Sequence, residues 1–280
     1  MKVILPGGKN LALSIVPLDK LKPHEDVIPS LLSSVKRDML RTGFQRDPIV
    51  IDRRTKIVLD GMHRLATLRE LGSNFAVCVE FNYLSKSVIL ERWLRYFIAP
   101  DRKMIQDLVS MLGLRRSPNL ETAIKEVDET SSRLSLLSNR ESFTSREKRY
   151  PIDSYGILSH FDDFARSKKM EVQFHPEDER SALFRSDSVF VLYPPKLEKK
   201  DIIFLALRGK VLPFKTTRHV VPVRPMGVYF PLKLLMQTDF GVCNRALKKT
   251  VAGSNIELHE KLSWYEGRRY SEPLAIFRSG

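Results

Sequence analysis

The chain has 280 residues, of which 47 are lysine or arginine and 33 are aspartate or glutamate, giving a formal net charge of +14. This length allows one large domain or two smaller ones, and no apolar stretch is long enough to span a membrane, so we expect a soluble cytoplasmic protein. The basic excess suits nucleic acid, an anionic surface or small phosphorylated ligands. However, the basic residues are scattered in short clusters, which favours a solvated basic surface.

The first part of the chain alternates short strand and helix signals. Leu11–Val16 is typical of a strand, Val27–Leu40 of a helix, and Pro48–Asp52 of the first strand of a hairpin. The turn between the first strand and the first helix, Leu21–Asp26, contains Glu25. A lone carboxylate in such a turn is usually solvated or caps the following helix, and the residues alone favour this interpretation.

The stretch Ile57–Arg64 is an apolar run that stops at Asp60 and continues into a helical pattern of leucines closed by Gly72. Asp60 can cap the first turn of this helix, and Gly72 suits its C-terminal cap. A helix N-terminus that also carries an arginine and a histidine, here Arg64 and His63, attracts phosphate through free N–H groups and positive charge. An equally good interpretation is that Asp60 only caps the helix and that Arg64 lies on its solvated face.

After a predicted strand at Phe75–Phe81, the middle of the chain is predicted to be rich in helix. The predicted helices are Val88–Phe97, Met104–Leu112 and a surface helix within Leu120–Leu137. From Arg115 to Arg149 the chain is polar and charged, which indicates a linker or an insertion. Two apolar runs then predict buried strands, at Val189–Tyr193 and Ile202–Leu207.

The two cysteines, Cys78 and Cys243, both lie in apolar surroundings and are predicted to be buried structural thiols. They are too far apart to indicate a metal site or a disulfide framework, which suits a reducing compartment. No cluster of histidine, cysteine and aspartate in the sequence argues for a structural metal.

A second group of polar residues lies in a loop bounded by prolines, which restrict the backbone. The loop combines two cations, two hydroxyls and an imidazole, in the order Lys215, Thr216, Thr217, Arg218 and His219. Hydroxyl groups together with arginine and lysine donors suit the binding of an oxyanion. From the residues alone, an ordinary basic surface loop remains the alternative.

The segment Asp60–Arg64 closely resembles the Asp-Gly-His-His-Arg element of the ParB/sulfiredoxin-like superfamily, which lies at a nucleotide phosphate in that fold. Met62 departs from this pattern, because it stands where the common pattern has histidine and sulfiredoxins have their reactive cysteine. Sulfiredoxin chemistry needs a thiolate, which a thioether cannot replace, so that activity is not expected. The order of Glu25, Asp60–Arg64 and the Lys215–His219 loop, followed by Arg224, is similar to that in archaeal free serine kinases.

This resemblance implies transfer of a phosphoryl group from ADP, or ATP, to the hydroxyl of free L-serine. The product would be O-phospho-L-serine, with AMP as the second product when ADP is the donor; in relatives, phosphoserine feeds cysteine synthesis. By the matching motif, Glu25 is expected to be the general base that orients or deprotonates the serine hydroxyl. A single magnesium ion bridging phosphate oxygens is expected as the cofactor.

The resemblance also assigns the other site residues. The nucleotide phosphates and the magnesium region are expected at Asp60, Gly61, Met62, His63 and Arg64, with Asp60 as the carboxylate nearest the metal. Serine or its new phosphate is expected at Lys215, Thr216, Thr217, Arg218 and His219. Trp93 matches a tryptophan that lines the serine pocket in the family, although an ordinary core role is an equally good interpretation.

We therefore predict a mixed α/β protein with two domains and an active-site cleft between them. The predicted segments are a ParB/sulfiredoxin-like domain at residues 1–85, a helical segment with a polar insertion at 86–150, and a C-terminal α/β domain at 151–280. The expected ligands are L-serine and ADP or ATP, and the protein is expected to be a monomer or homodimer.

Two other functions are compatible with the sequence. One is a ParB-like nucleotide-dependent DNA-binding protein, in which Met104–Leu114 and Leu120–Val127 would form a helix-turn-helix. The break at Arg115–Pro118 is a poor tight turn for that motif, so nucleic acid is not the expected partner. The other is a catalytically silent scaffold that keeps the fold, against which the presence of Glu25 and a complete Thr-Thr-Arg-His loop argue.

Overall fold

A computed structural model describes residues 1–129, 132–145, 151–182, 188–260 and 263–279. The chain divides into two compact units. Unit 1 consists of Met1–Ile89, Ile202–Val211 and His219–Gly280, and unit 2 consists of Leu90–Asp201 and Leu212–Arg218. The predicted boundary at residue 85 lies near the end of the first stretch of unit 1, whereas the predicted segment 151–280 contributes to both units. None of the helices within the described residues has the length and hydrophobicity needed to cross a membrane.

The N-terminal part of unit 1 is built on a mixed sheet. Its elements are β1 (Lys2–Ile4), β2 (Asn10–Pro17), α1 (Pro29–Thr42), β3 (Phe44–Gln45), β4 (Ile49–Asp52), β5 (Val58–Asp60), α2 (Met62–Glu70) and β6 (Phe75–Phe81). The strand order is β1-β2-β6-β4-β5, in which β4 runs parallel to β6 and the other pairs are antiparallel. The predicted first strand, first helix, hairpin and Phe75–Phe81 strand are therefore confirmed.

The hairpin of β4 and β5 delivers the end of β5 to helix α2. Asp52 stabilises the turn, because its Oδ2 accepts hydrogen bonds from the backbone N–H and the hydroxyl of Thr55, at 2.8 and 2.6 Å. Antiparallel pairing then places Asp60 opposite Val50, at the last position of β5. The apolar residues on either side, such as Ile49 and Leu68, are completely buried and fix this register.

Unit 2 is built on a second, mainly antiparallel sheet. The elements of this part of the chain are β7 (Ile89–Ile98), α3 (Arg102–Met111), β8 (Leu114–Arg116), α4 (Leu120–Asp128), β9 (Ser135–Leu137), β10 (Ser142–Ser145), α5 (Pro151–Ser167), β11 (Val172–Pro176), β12 (Val189–Tyr193) and α6 (Lys199–Leu207). The strand order is β11-β7-β12-β9-β10-β8. The predicted helix at Met104–Leu112 and the predicted strand at Val189–Tyr193 are confirmed by α3 and β12.

Two predictions about apolar runs were wrong in opposite senses. Val88–Phe97 was predicted to be a helix but forms strand β7, and Ile202–Leu207 was predicted to be a strand but lies in helix α6. A short apolar run fits a buried strand and a buried helix equally well, so periodicity does not separate them. In β7, four consecutive residues from Leu94 to Phe97 are buried, because both faces of the strand are covered.

The polar stretch from Arg115 to Arg149 was predicted to be a linker or insertion, but its described part belongs to the sheet of unit 2. Strands β8, β9 and β10 come from it, and the helix predicted within Leu120–Leu137 is α4, at Leu120–Asp128. Serines of this stretch hydrogen-bond one another inside the unit, as Ser132 does with Ser145 at 2.9 Å. Residues 130–131 and 146–150 of the predicted segment lie outside the described residues.

The remaining chain returns to unit 1 through a third sheet. The elements of this last part of the chain are β13 (Thr217–Val220), β14 (Arg224–Met226), β15 (Phe230–Pro231), α7 (Leu232–Leu235), α8 (Phe240–Ala252), β16 (Ser254–His259), β17 (Ser263–Tyr265), β18 (Arg268–Tyr270) and β19 (Leu274–Ser279). The third sheet has the strand order β14-β19-β16. Strands β14 and β19 are parallel, β16 pairs antiparallel with β19, and β15 pairs with β3. Cys78 and Cys243 are both buried free thiols, as predicted, and burial raises the pKa of each.

Candidate active site

The junction of β5 and α2 is a tight structure that depends on Gly61. Gly61 is the N-cap of α2 with a φ of 102°, a conformation that L side chains rarely adopt. The Arg64 side chain folds back over this glycine, so that a Cβ there would lie 2.8 Å from Nη2. Arg64 Nη2 donates to Asp60 Oδ2 at 3.1 Å. The N-cap residue of α2 is Gly61, and the Asp60 carboxylate just before it binds an arginine.

A second arginine, Arg224 at the start of β14, holds the same carboxylate from the other side. Its Nη1 donates to Asp60 Oδ2 at 2.7 Å, its Nε to Glu272 Oε1 at 2.6 Å, and its Nη2 to the carbonyl of His219 at 3.1 Å. Arg224 and Glu272 are both buried, and the two carboxylates raise the pKa of the guanidinium despite burial. Asp60 is therefore fixed in orientation while 31% of its side chain stays exposed.

Glu25 lies beside a neutral histidine. Burial lowers the pKa of His24 to about 4, against the opposing effects of the Val58 carbonyl and the Asp60 carboxylate. Nδ1 of His24 is 2.6 Å from the carbonyl oxygen of Val58, which can only accept, so Nδ1 carries the proton. The unprotonated Nε2 lies 3.7 Å from Oε1 of Glu25, whose side chain is 11% exposed.

His219 connects the turn that contains Glu25 with the arginine network. Its ring packs edge-on against His24, with centroids 5.2 Å apart, and its Nε2 is 2.9 Å from the hydroxyl of Tyr83. Burial, followed by the repulsion of His24, holds the pKa of His219 well below its ordinary value. Since Arg224 binds the carbonyl of His219, a continuous set of contacts within unit 1 runs from Glu25 to Asp60 and Arg64.

His63 and Met62 occupy the first turn of α2. His63 Nε2 accepts a hydrogen bond from the backbone N–H of Ile28 at 2.9 Å, which ties the start of α1 to the start of α2. Met62 is 9% exposed and packs in the interior. In this chain a packing side chain thus stands where the resembled element has a histidine or a reactive cysteine.

The remaining predicted residues form a separate group in unit 2. Trp93 is half-buried on β7, the Nζ of Lys215 lies 4.3 Å from the centre of its ring, and the guanidinium carbon of Arg218 lies 5.9 Å from it. Thr216 and Thr217 are buried, and the Thr216 hydroxyl donates to the carbonyl of Pro213 at 2.7 Å. Trp93 is therefore in contact with two cations, unlike an ordinary core tryptophan, which is surrounded by apolar side chains.

A buried arginine on β7 supports the start of the Lys215–His219 loop. Arg95 forms a two-point ion pair with Asp162, at 2.8 and 2.9 Å, and donates to the carbonyls of Phe214 and Lys215 at 3.0 and 3.4 Å. Lys215 has a φ of 53°, which is uncommon for a residue with a side chain. The Arg95 contacts hold the backbone in this conformation.

Sequence reasoning did not single out His24, Tyr83, Arg95 and Glu272 as site residues. His24 and Arg224 stood beside the motifs that carried the resemblance, so their position was a usable signal. Glu272 gives no such signal, because it meets Arg224 only through the parallel pairing of β14 with β19. Within the described residues, no group of three or more histidine, cysteine, aspartate or glutamate side chains is arranged to hold a metal ion.

Comparison with known proteins supplies independent information. No protein-family model matches the sequence. The chain is 24% identical over 256 residues to an ATP-dependent L-serine kinase of Staphylothermus marinus, a match that covers 84% of this chain and 95% of that protein. It is 25% identical over 227 residues to an ADP-dependent L-serine kinase of Thermococcus kodakarensis, covering 78% of this chain and 90% of that protein. A shorter match, 35% identical over 92 residues, covers 33% of the chain and 45% of a ParB-like protein of Sulfolobus acidocaldarius.

Solved structures show a similar fold. A variant of free serine kinase in complex with ADP matches with a TM-score of 0.68 at 23% identity, covering 80% of this chain and 93% of that one. C-terminally truncated SbnI from Staphylococcus aureus matches with a TM-score of 0.69 at 20% identity, covering 86% and 95%. This mixed α/β chain therefore has the fold of the free serine kinase and is similar to archaeal L-serine kinases over most of its length.

Proposed function

We propose that this protein is a phosphotransferase that moves a phosphoryl group from ADP, or ATP, to the hydroxyl of free L-serine. The likeness to L-serine kinases over most of the chain supports the enzyme class. The observation that carries the proposal is the set of contacts in unit 1 that links Glu25, through His24, His219 and Arg224, to Asp60 at the N-terminus of α2. These contacts connect the proposed general base to the helix N-terminus at which we propose that phosphate binds.

Each part of this set has a role in the proposed reaction. The serine oxygen forms a bond to the terminal phosphorus of ADP, the bond from that phosphorus to the bridging oxygen breaks, and AMP leaves with the electron pair. Glu25, which lies beside His24, takes the hydroxyl proton. The backbone N–H groups that begin α2 and the guanidinium of Arg64 neutralise phosphate charge. Positioning and charge neutralisation supply most of the catalysis in such a transfer.

Asp60 is the residue that would hold a magnesium ion. Magnesium keeps several water and phosphate ligands and commonly binds one or two protein carboxylates, so a lone carboxylate beside a phosphate site suits it. Arg64 and Arg224 fix the direction of the Asp60 carboxylate. When bound, the ion would add neutralisation of phosphate charge.

The proposal is tested by phosphorus NMR of the protein with magnesium, L-serine and either ADP or ATP. Growth of O-phospho-L-serine together with AMP is the expected result with ADP. Phosphoserine formed only from ATP would keep the enzyme class and change the donor. No transfer from either nucleotide by folded protein would contradict the proposal. A supply of phosphoserine for cysteine synthesis, a cytoplasmic location and the oligomeric state stay predictions.

Replacement of Gly61 by alanine is expected to weaken ADP binding about tenfold, because the new Cβ displaces the Arg64 guanidinium and one charge-assisted hydrogen bond is lost. Gly72→Ala is the matched control, since it lies past the other end of α2 with a φ of 69° and no atom within 4 Å of a Cβ. Both variants should lose about 1–2 kcal/mol of folding free energy from the left-handed backbone. Calorimetry of ADP binding distinguishes them, and equal affinities would contradict the phosphate assignment.

DNA binding is the alternative function. The match to a ParB-like protein supports it over a third of the chain. The expected helix-turn-helix, however, is not formed, because strand β8 separates α3 from α4 and pairs with β10. If no phosphoryl transfer is seen, specific DNA binding at physiological salt would favour this alternative, whereas weak and steeply salt-dependent binding would reflect only the basic surface.

A further inference from the structure

One face of β7 carries a mixed cluster of charged groups around an aromatic ring, referred to below as the Trp93 cluster. It consists of Glu91, Trp93, Asp178, Lys215 and Arg218, all within unit 2. Glu91 and Trp93 share a face because they are two positions apart on the strand. Arg218 Nη1 donates to Glu91 Oε2 at 2.7 Å and lies 3.4 Å from Asp178 Oδ1.

The charges of the Trp93 cluster match those of a free amino acid. Two cations, Lys215 and Arg218, lie against the ring of Trp93, and two carboxylates, Glu91 and Asp178, lie beside Arg218. The set is neutral overall, so a simple anion or a simple cation would pair with only one kind of its charges. A zwitterion, with one ammonium and one carboxylate on a single carbon, offers a partner to each pair of charges at once.

The carboxylate side of the cluster has more negative charge than its arginine neutralises. Burial raises the pKa of Glu91, and repulsion from Asp178 and Glu177 adds to this effect, although Arg218 opposes it. A further positive group next to Glu91 would reverse the shift and be stabilised in turn. The side chains of Glu91 and Asp178 are 27% and 47% exposed, so a small solute can reach them.

The Glu91–Arg218 pair is not needed to hold the loop. Arg95, whose side chain is completely buried against Asp162, already fixes the carbonyls of Phe214 and Lys215. The Glu91–Arg218 pair is more exposed than this pair. Partly exposed ion pairs contribute little to folding, so a structural role explains Arg95 better than it explains Glu91.

We propose that Glu91, with Asp178 beside it, binds the α-ammonium group of the amino-acid acceptor, while Arg218 and Lys215 bind its α-carboxylate against the ring of Trp93. This inference rests on the proposed function, because it takes the acceptor to be a free amino acid. It gives the ammonium group of the acceptor an acidic partner. The acceptor's side-chain hydroxyl makes no contact in this assignment. Recognition of its α-ammonium and α-carboxylate groups is therefore separate from phosphoryl transfer to the hydroxyl.

The test compares L-serine with 3-hydroxypropanoate, which keeps the hydroxyl and the carboxylate but lacks the amino group. Calorimetric titration of both compounds into wild-type protein and Glu91→Gln, with magnesium and AMP present, measures affinity without requiring turnover. Wild type should prefer L-serine, and Glu91→Gln should bind L-serine about 10- to 100-fold more weakly with unchanged affinity for 3-hydroxypropanoate. Asp178→Asn should show the same pattern with a smaller loss.

Glu129→Gln is the matched control, because Glu129 lies in the same unit in an exposed pair with Lys125. It should leave both affinities unchanged. An equal loss for both compounds in Glu91→Gln would mean that Glu91 only supports Arg218, and an unchanged preference for L-serine would also overturn the inference. A failure of the proposed function is distinguishable, since L-serine would then bind with the expected preference while phosphoserine never forms.

Discussion

Replacing Glu25 by glutamine is expected to lower kcat for phosphoserine formation by about 10²- to 10⁴-fold, the range that a positioned general base contributes. Glutamine keeps the shape and a hydrogen-bond acceptor, so serine and ADP should bind nearly as before. The amide cannot accept the hydroxyl proton. Phosphorus NMR measures the rate, and calorimetry measures the ADP affinity.

The matched control for this variant is Glu70→Gln. Glu70 is the last residue of α2, lies in the same unit and forms an exposed ion pair with Lys36 at 2.9 Å. It should keep kcat within about twofold of wild type, since such pairs contribute little. Near-normal turnover of Glu25→Gln would remove Glu25 from the catalytic role. A parallel loss of ADP binding would instead indicate that Glu25 shapes the nucleotide site.

Local signals explain which parts of the fold could be predicted. The hairpin before Asp60 and the helix after Gly61 follow from two short apolar runs joined by turn residues and from a leucine repeat. The strand β7 could not be predicted in this way. Its interior, from Leu94 to Phe97, is buried on both faces, including Arg95, and such a run has no period that separates a strand from a helix.

Contacts of the candidate site between residues close in sequence could be predicted, whereas contacts that depend on the strand topology could not. Asp60 and Arg64 are four positions apart, and their contact follows from helix geometry. The contact of Asp60 with Arg224 joins residues 164 positions apart, and it exists because β14 returns to unit 1. No spacing rule gives that pairing, so the sequence showed a phosphate element without the second arginine that orients its carboxylate.

The Lys215–His219 loop illustrates a different limit. The sequence presents five consecutive polar residues as a single anion-binding loop, but their surroundings differ. His219 is buried beside His24 and Tyr83 in unit 1, whereas Lys215 and Arg218 lie against Trp93 in unit 2. Strand geometry sends neighbouring side chains to opposite faces, so adjacent residues serve different groups. The shared cleft that the sequence predicts for these groups stays a prediction.

Replacing Arg224 by methionine is expected to lower the free energy of unfolding by about 3–5 kcal/mol, because it leaves a buried carboxylate without its charged partner. Glu272 is 4% exposed and would lose the arginine that pairs with it. Asp60 would keep Arg64 but lose the contact that fixes its direction. Urea unfolding measures the loss, and phosphorus NMR at a temperature where the variant is folded measures the accompanying fall in turnover.

The double variant Arg224→Met with Glu272→Leu separates the two effects of Arg224. It removes both buried charges, and replacing a buried ion pair by apolar groups is often neutral for stability, so most of the lost free energy should return. Turnover should stay low, because Asp60 still lacks its second arginine. Arg278→Ala, which breaks an exposed pair with Glu257, should leave stability and turnover nearly unchanged. Recovery of both stability and turnover in the double variant would show that Arg224 only neutralises Glu272 and does not orient Asp60 for phosphate chemistry.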